Sequence, residues 1–441
     1  MSSNISSGDK ARSQLLYKIG DKPPGSLSVL LGFQNIIAAF GGIVAPPLVI
    51  GGALGLDITT MALLVSSTIF VAGLVTFMQA KGIGIIGSKT PCMMGTDFTF
   101  VGPSIAVGSA MGLGGVFGAT ILGSFIEIIL SRFIKPLMKF FPPVVTGTVV
   151  TLIGLTLVPV SIDWAAGGFG SPDYGSLRNI SIAMGVMFII LMLNRYAKGL
   201  ISSASVLIGM GIGYIVCIPL GMVDFTSVRE ASWIGLPGIP LILEHGIKFS
   251  LAGLVTFAAA YLVTTIESVG CLIAVSDACE EDISNDQLSA GILCDGTGSL
   301  LAGFLGTTPN TTFSQNVGLI PITKIGSRHV VMVAGILLML LGIFPKLGAL
   351  IAVMPNPVLG GAGIVMFGMV AASGMKTLSR VDMNNRNLLI VAVAVGLGLG
   401  VTFRPEFLAY LPEGLKMVFS SGISTGTIAA LLLNMILLEE E

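Results

Sequence analysis

Histidine is almost missing from this chain: His245 and His329 are the only two in 441 residues. A zinc centre or a histidine-based catalytic set would need more imidazole than that. Charge is scarce too. Charged residues make up 10% of the chain and the formal net charge is -1, so no basic bias recommends a nucleic acid or an anionic surface as partner. The five cysteines, Cys92, Cys217, Cys271, Cys279 and Cys294, form neither a close pair nor a metal-ligand spacing, and they read as free thiols packed in helices. An intramembrane enzyme or a receptor therefore has few residues to work with, and no cofactor or metal is expected. The stretch before Ser26 is polar and lacks the pattern of a cleavable signal peptide, so residues 1–25 are expected to form a cytoplasmic tail.

What is present is apolar residue in long runs. Hydrophobic residues make up 53% of the chain and the mean hydropathy is +0.95, far beyond what the core of a water-soluble domain needs. Windows such as Thr59–Gln79, Ile180–Leu193, Phe249–Ser276 and Val330–Val353 suit helices that cross a bilayer. About fourteen such spans are expected, roughly twenty residues each. With the N-terminus inside and spans alternating, basic residues such as Lys18, Lys22, Lys81, Lys89, Arg132, Arg195, Lys198, Lys324, Arg328, Lys376 and Arg386 fall in the cytoplasm. Arg178, Arg229, Lys248, Lys346, Arg404 and Lys416 fall outside. That excess predicts an even number of spans with both termini cytoplasmic.

The two halves carry matching marks. Gly87-Ser88-Lys89-Thr90-Pro91, followed by Phe98 and Gly102, corresponds to Gly306-Thr307-Thr308-Pro309, followed by Phe313 and Gly318. Further on, Phe141-Pro142-Pro143-Val144 corresponds to Met354-Pro355-Asn356-Pro357-Val358. The offset is roughly 215 residues, the period of a duplicated membrane unit. Seven spans per unit is an odd number, so the second copy would insert upside down. The expected division is 26–222 for the first repeat, 223–247 for an extracellular connection and 248–441 for the second repeat. Broken spans in corresponding places of two halves point to a solute site, because unwound backbone there offers free N–H and C=O groups.

Four carboxyl groups lie within apolar stretches: Asp97, Glu127, Glu267 and Asp295. A charge at that depth costs several kcal/mol and normally faces a cavity or a partner. Glu267 is the first candidate for a site, with Thr264 and Cys271 on nearly the same helical face; its alternative is an interhelical hydrogen bond. Asp295 sits among small residues, where binding and capping roles compete. Asp97 beside Phe98 would serve either the site or loose backbone N–H groups. Glu127 lies in an apolar helix with no visible partner, which favours a structural or subunit contact. The run Thr311 to Gly318 concentrates hydroxyls and amides, including Ser314, Gln315 and Asn316, that both donate and accept. Phe98 or Phe313 would stack on a flat ring. These residues fit a planar, polar solute that is neutral or weakly acidic.

Gln315-Asn316-Val317-Gly318-Leu319-Ile320-Pro321-Ile322-Thr323-Lys324 resembles the signature of the nucleobase–ascorbate transporter family, and the likeness extends through Glu267, Asp295-Gly296 and Gly360-Gly361-Ala362-Gly363. It implies an all-α polytopic membrane protein of fourteen spans in two inverted seven-span repeats. Spans 1–4 and 8–11 would form a core domain and spans 5–7 and 12–14 a gate domain, with short strands in broken spans 3 and 10. It further implies a homodimer in the plasma membrane that imports nucleobases with protons by elevator-type movement. By the same resemblance Glu267, Gln315, Phe98, Asn316 and Asp97 line the substrate site. Glu267, Asp295, Gln34, Asn35, Thr264, Cys271 and Ser314 support it or take part in proton coupling. Gln at position 315, in place of Glu, resembles the xanthine and urate branch more than uracil carriers, since an amide can both give and take a hydrogen bond. Two positions depart from the family: Gln34-Asn35 stands for Gln-His, and Asp97 for a small neutral residue. The alternatives are a uracil or other nucleobase carrier, and an anion carrier of the sulfate or bicarbonate type.

Overall fold

In a computed structural model of the chain, residues 15–134, 136, 141–314 and 316–437 are described; most of the predicted tail and Gln315 lie outside them. Helix α1 (Gly25–Ala53) passes through Pro46 and Pro47 and is followed by α2 (Ile58–Lys81). Asp57 starts α2 by accepting the Thr59 and Thr60 N–H groups at 2.9 and 3.1 Å, and Gly82 ends it at φ +71°. The chain then turns extended at β1 (Met94–Thr96) before α3 (Val101–Met111) and α4 (Leu113–Leu130). Helices α5 (Pro143–Ala165), α6 (Leu177–Tyr196) and α7 (Ser205–Cys217) complete the first half.

The connection 223–247 carries two short helical turns. The second half repeats the order: α8 (Leu251–Ala278), α9 (Asn285–Phe304), β2 (Asn310–Thr312) and the short α10 (Leu319–Thr323). After them come α11 (Arg328–Gly342), α12 (Pro345–Ala352), α13 (Asn356–Leu378), α14 (Asn385–Phe403), α15 (Glu413–Ser420) and α16 (Gly422–Ile436). Among the described residues eight helices are long and apolar enough to cross a membrane, or up to ten if the bent pairs α11/α12 (81°) and α15/α16 (86°) each count as one span. That is fewer than the expected fourteen; the further apolar pieces Phe98–Met111 and Ser205–Cys217 are shorter than a full span. Side chains exposed along α6 and α14, such as Phe188, Leu191, Leu388 and Leu397, are apolar, as a lipid-facing surface requires.

Proline and glycine explain the two interruptions. Pro91 and Pro309 each lack an N–H, and Gly87 (φ +97°) and Gly306 (φ +62°) take backbone angles that L side chains avoid. The unwound residues then pair across the molecule: β1 and β2 run antiparallel, Met94 opposite Thr312 and Thr96 opposite Asn310, and every residue in both is buried. A three-residue strand leaves polar groups over, and hydroxyls from neighbouring helices take them. Thr76 of α2 accepts the Met94 N–H at 2.9 Å and donates to the Met94 carbonyl at 3.3 Å. Ser299 of α9 does the same for Asn310, both at 3.1 Å. One hydroxyl per half thus clamps the first residue of each strand.

Helix packing crosses between the halves. Helix α2 lies against α11, α9 lies against α4, and α5 lies against α13. The contacts are made through glycines: a Cβ on Gly73 would sit 2.5 Å from the Met339 nitrogen, and one on Gly154 2.3 Å from that of Ala371. Such close approach lets helices associate where lipid removes the usual hydrophobic drive. Helices α5, α6, α7, α13, α14 and α16 pack chiefly on one another, and the strand pair lies among α1, α2, α8 and α9.

Candidate functional site

Between those two groups of helices lies a cavity of about 460 Å³. One wall is built by Gly41 and Gly42 of α1, residues 96–99, Glu267 and residues 311–314; the other by Ile153 of α5, Ser205 and Val206 of α7, and Met366, Met369, Val370 and Ser373 of α13. Among the described lining residues there is no Lys, Arg or His. The strand pair explains why both halves reach the same space. The strands run antiparallel, so residues 97–99 and 313–314 leave the pair at opposite ends and line the same cavity from two sides.

Glu267 lies in the middle of the 28-residue α8, lines the cavity and makes no hydrogen bond or ion pair among the described residues. Asp97 caps the short turn Phe98–Phe100: one carboxylate oxygen accepts the Thr99 N–H at 3.0 Å, while the other is buried without a partner. Phe98 is buried and meets Phe367 of α13 edge-on, ring centres 5.4 Å apart. Phe313 lies over Gly95, where a Cβ would come within 2.6 Å of its ring, and its N–H binds the Met93 carbonyl at 2.9 Å. Ser314 is exposed on the cavity wall.

Other residues singled out in the sequence stand behind this wall. The Thr264 hydroxyl donates to that of Thr311 at 2.8 Å, and Ser268 is 2.9 Å from the same oxygen. Ser268 also donates to Asp295, which is fully buried and is not among the residues lining the cavity. Asn316 directs its amide away from the cavity, donating to the carbonyl and side-chain oxygens of Asn35 at 2.9 and 3.0 Å. Gln34 and Asn35 line a small separate hollow with Pro91 and Leu319. Cys271 is buried one turn beyond Glu267 on α8. Glu127 is buried on α4 away from the cavity, 3.4 Å from the Thr265 hydroxyl, with its second oxygen unpartnered. Gly41, Gly42, Ile153, Met366 and Ser373 escape sequence reasoning, because a residue that merely shapes an apolar wall looks like any other helix residue.

A helical membrane scaffold whose two interrupted segments line one cavity is the architecture of a multi-pass transporter. Residues 27–407 match the family model described as "Permease family" (Xan_ur_permease), and the chain belongs to that family. It is 58% identical over 425 residues to the Clostridium perfringens (strain 13 / Type A) protein named "Putative purine permease CPE0397", covering 96% of this chain and 93% of that one. It is 40% identical to the uric acid transporter UacT of Escherichia coli (strain K12), covering 93% of this chain and 86% of UacT. The xanthine permease of Bacillus subtilis (strain 168) is also 40% identical, with 92% of each chain covered. Among solved structures, the transmembrane domain of a cyanobacterial bicarbonate transporter, BicA, shares the fold at a TM-score of 0.59 with 13% identity, over 95% of this chain and 99% of that one.

Proposed function

We infer that this permease imports an oxo-purine nucleobase, xanthine or uric acid, and that Glu267 is its principal ligand to the base. The observation that carries this reading is a carboxyl without a partner among the described residues, facing a cavity of about 460 Å³ beside the hydroxyl-rich segment 311–314. A volume of that order holds a small planar solute. Ring N–H groups of a purine would satisfy Glu267, carbonyls would take the nearby hydroxyl and backbone donors, and Phe98 or Phe313 offers a face to the ring. Gln315 and Asn316 are read as the residues that recognise the base edge and hold the segment in place. The names of the relatives support the purine class.

The remaining parts of this reading are the two inverted seven-span repeats, the core and gate groups, a homodimer and cytoplasmic termini in the plasma membrane. The crossed packing of α2 on α11 and α9 on α4 supports the repeat, and the cavity between two helix groups supports movement of one against the other. The cavity extends to Asn194 and Ser202, beside Arg195 and Lys198, which the charge distribution assigns to the cytoplasm. Proton coupling through Glu267 and Asp295 is part of the same proposal. An inorganic-anion carrier of the sulfate or bicarbonate type is disfavoured, because the described lining residues include Glu267 and Asp97 but no Lys, Arg or His.

The test is uptake of labelled xanthine by cells lacking their own purine carriers, competed by uric acid, guanine and uracil. Purine-selective uptake that Glu267→Gln reduces at least about tenfold is the expected result, the scale of one lost charge-assisted hydrogen bond. Full uptake by Glu267→Gln would remove the residue from this role. Uptake indifferent to a protonophore would remove the proton.

A further inference from the structure

Residues 15–21 belong to the stretch expected to form a tail, yet they lie as a strand along residues 324–328, the joint between α10 and α11. Tyr17 stands opposite Ile325 in a parallel bridge. Lys324 ends α10 in the left-handed region at φ +59°, and Arg328 already begins α11. The N-terminal strand supplies the polar partners of this short joint. The Leu16 N–H donates to the Lys324 carbonyl at 2.8 Å, and the Gly326 N–H donates to the Tyr17 carbonyl at 2.8 Å. The Arg328 N–H, which opens α11 and has no helical turn before it, donates to the Ile19 carbonyl at 3.1 Å. The Ser327 hydroxyl donates to the Asp21 carbonyl at 2.6 Å.

Side chains alternate along the strand as they do where one face is covered: Leu15, Tyr17 and Ile19 are partly buried, Leu16 and Lys18 exposed. Leu15 and Ile19 pack on a cluster that includes Cys279, Leu288 and Ile320. Gly326 permits the close approach, since a Cβ there would lie 3.1 Å from the Cys279 sulfur and 3.2 Å from Leu15. Ile320 belongs to α10, and two other residues of that five-residue helix, Leu319 and Ile322, line the main cavity. A single helical turn does not hold itself in place, so its position is set by what grips its ends. Asn316, bonded to Asn35, anchors the chain before it, and the N-terminal strand anchors the chain after it. We propose that residues 15–21 are a positioning strand for the solute cavity: by pinning the joint 324–328 they fix α10, and with it one part of the cavity wall, in the arrangement that binds solute. Docking of the strand and binding of the solute then favour each other by the same factor. The proposal rests on the nucleobase reading above only for its probe, xanthine.

Leu15→Ser combined with Ile19→Ser loosens the packed face of the strand, and neither residue lines the cavity. Leu16→Ser alters the face that points away and is the control. The experiment is the KM of labelled xanthine uptake, each protein normalised to its amount in the membrane. The double variant should raise KM about fivefold or more, the lower end of typical coupling between two sites, and Leu16→Ser should leave it unchanged. An unchanged KM in the double variant overturns the proposal whatever the amount of carrier, because a strand that only aids folding lowers the amount alone. An equal rise in Leu16→Ser overturns it as well. Should the double variant fail to reach the membrane, the unmodified protein decides. Cys279 is 1% exposed in the cluster that the strand covers, so its alkylation by N-ethylmaleimide in detergent-purified protein, read by mass spectrometry of its peptide, reports release of the strand. Saturating xanthine should slow that alkylation by about fivefold or more, the reciprocal of the KM effect. An equal rate with and without xanthine overturns the proposal. Absence of any purine uptake by unmodified protein present in the membrane would overturn the nucleobase reading and this role together, an outcome distinct from purine uptake with an unchanged KM.

Discussion

The Thr312 hydroxyl stands 3.2 Å from one carboxylate oxygen of Asp295 and 3.3 Å from the other, so a strand on the cavity wall is tied to a buried acid one layer behind it. Ser268 of α8 donates to the same carboxylate. Asp295 therefore joins three elements, α8, α9 and β2. Asp295→Asn keeps an acceptor for these hydroxyls and should leave the protein folded while cutting uptake. Asp295→Ala removes the strong acceptor that two buried hydroxyls share, leaving them only the Thr311 hydroxyl and the Met94 sulfur, and should lower stability by about 1–3 kcal/mol. Thermal unfolding of the detergent-purified variants beside xanthine uptake separates the two effects. Equal stability of Asn and Ala variants would remove Asp295 from this structural role.

Thr76 and Ser299 hold the first residue of each strand by both its N–H and its C=O. Thr76→Val and Ser299→Ala should each destabilise the protein by about 1–3 kcal/mol, because buried backbone groups lose their partner inside a membrane. The double variant should lose more than the sum, since each strand's position depends on the other. Melting temperatures of the four proteins in one detergent give the measurement; strict additivity would argue against coupling through the strand pair.

Gly73 and Gly154 set the distance between helices from opposite halves. A Cβ at either position would fall 2.5 Å or less from a backbone nitrogen of the facing helix. Gly73→Leu and Gly154→Leu should abolish monodisperse protein on size exclusion, because helix backbone has no rotamer with which to move aside. Gly185, with open space around its Cβ position, should accept Ala without loss. Normal behaviour of Gly154→Leu would show that α5 and α13 do not pack this closely.

Asp57, just before α2, is held below the usual carboxylate range first by the Thr60 hydroxyl and then by the Thr60 and Thr59 N–H groups. A depressed folded-state value gives stability that is present above the unfolded carboxylate value and lost as pH falls through the lower folded value. Asp57→Ala should cost about 1 kcal/mol at neutral pH, the usual worth of a helix cap. The difference from the unmodified protein should shrink at strongly acid pH. Melting curves of both proteins across the acid range test this, and a gap that persists there would assign the loss to something other than the ionised cap.

Legibility differed from element to element. The apolar runs announced α2, α6 and α8, because a helix that must satisfy all its backbone in lipid needs an unbroken stretch of suitable length, whereas the run Val330–Val353 is bent by 81° between α11 and α12. Pro91 and Pro309 announced the two interruptions, since a missing N–H acts locally. The number of spans was harder to read: bends such as the 86° break between α15 and α16 arise where Ser421 and Gly422 meet, with no proline at that point. At the site, Glu267 and Asp97 stood out because carboxyls are costly in apolar surroundings. The facing wall of Ile153, Met366 and Ser373 carried no such mark.

The sequence by itself determined that this chain lives in a membrane, where its two proline-marked interruptions fall, and which carboxyls lie within apolar stretches. Those properties belong to composition and spacing along one strand of chain. Only the tertiary structure decided that the two interruptions pair with each other, that Asn316 turns to Asn35, and that Asp295 stands behind the wall while Asp97 and Glu267 face the cavity. The reason is geometric. Which way a side chain points depends on the partner helix packed against it, and in this chain that partner is often hundreds of residues away, as Thr76 and Thr312 are from each other around Met94.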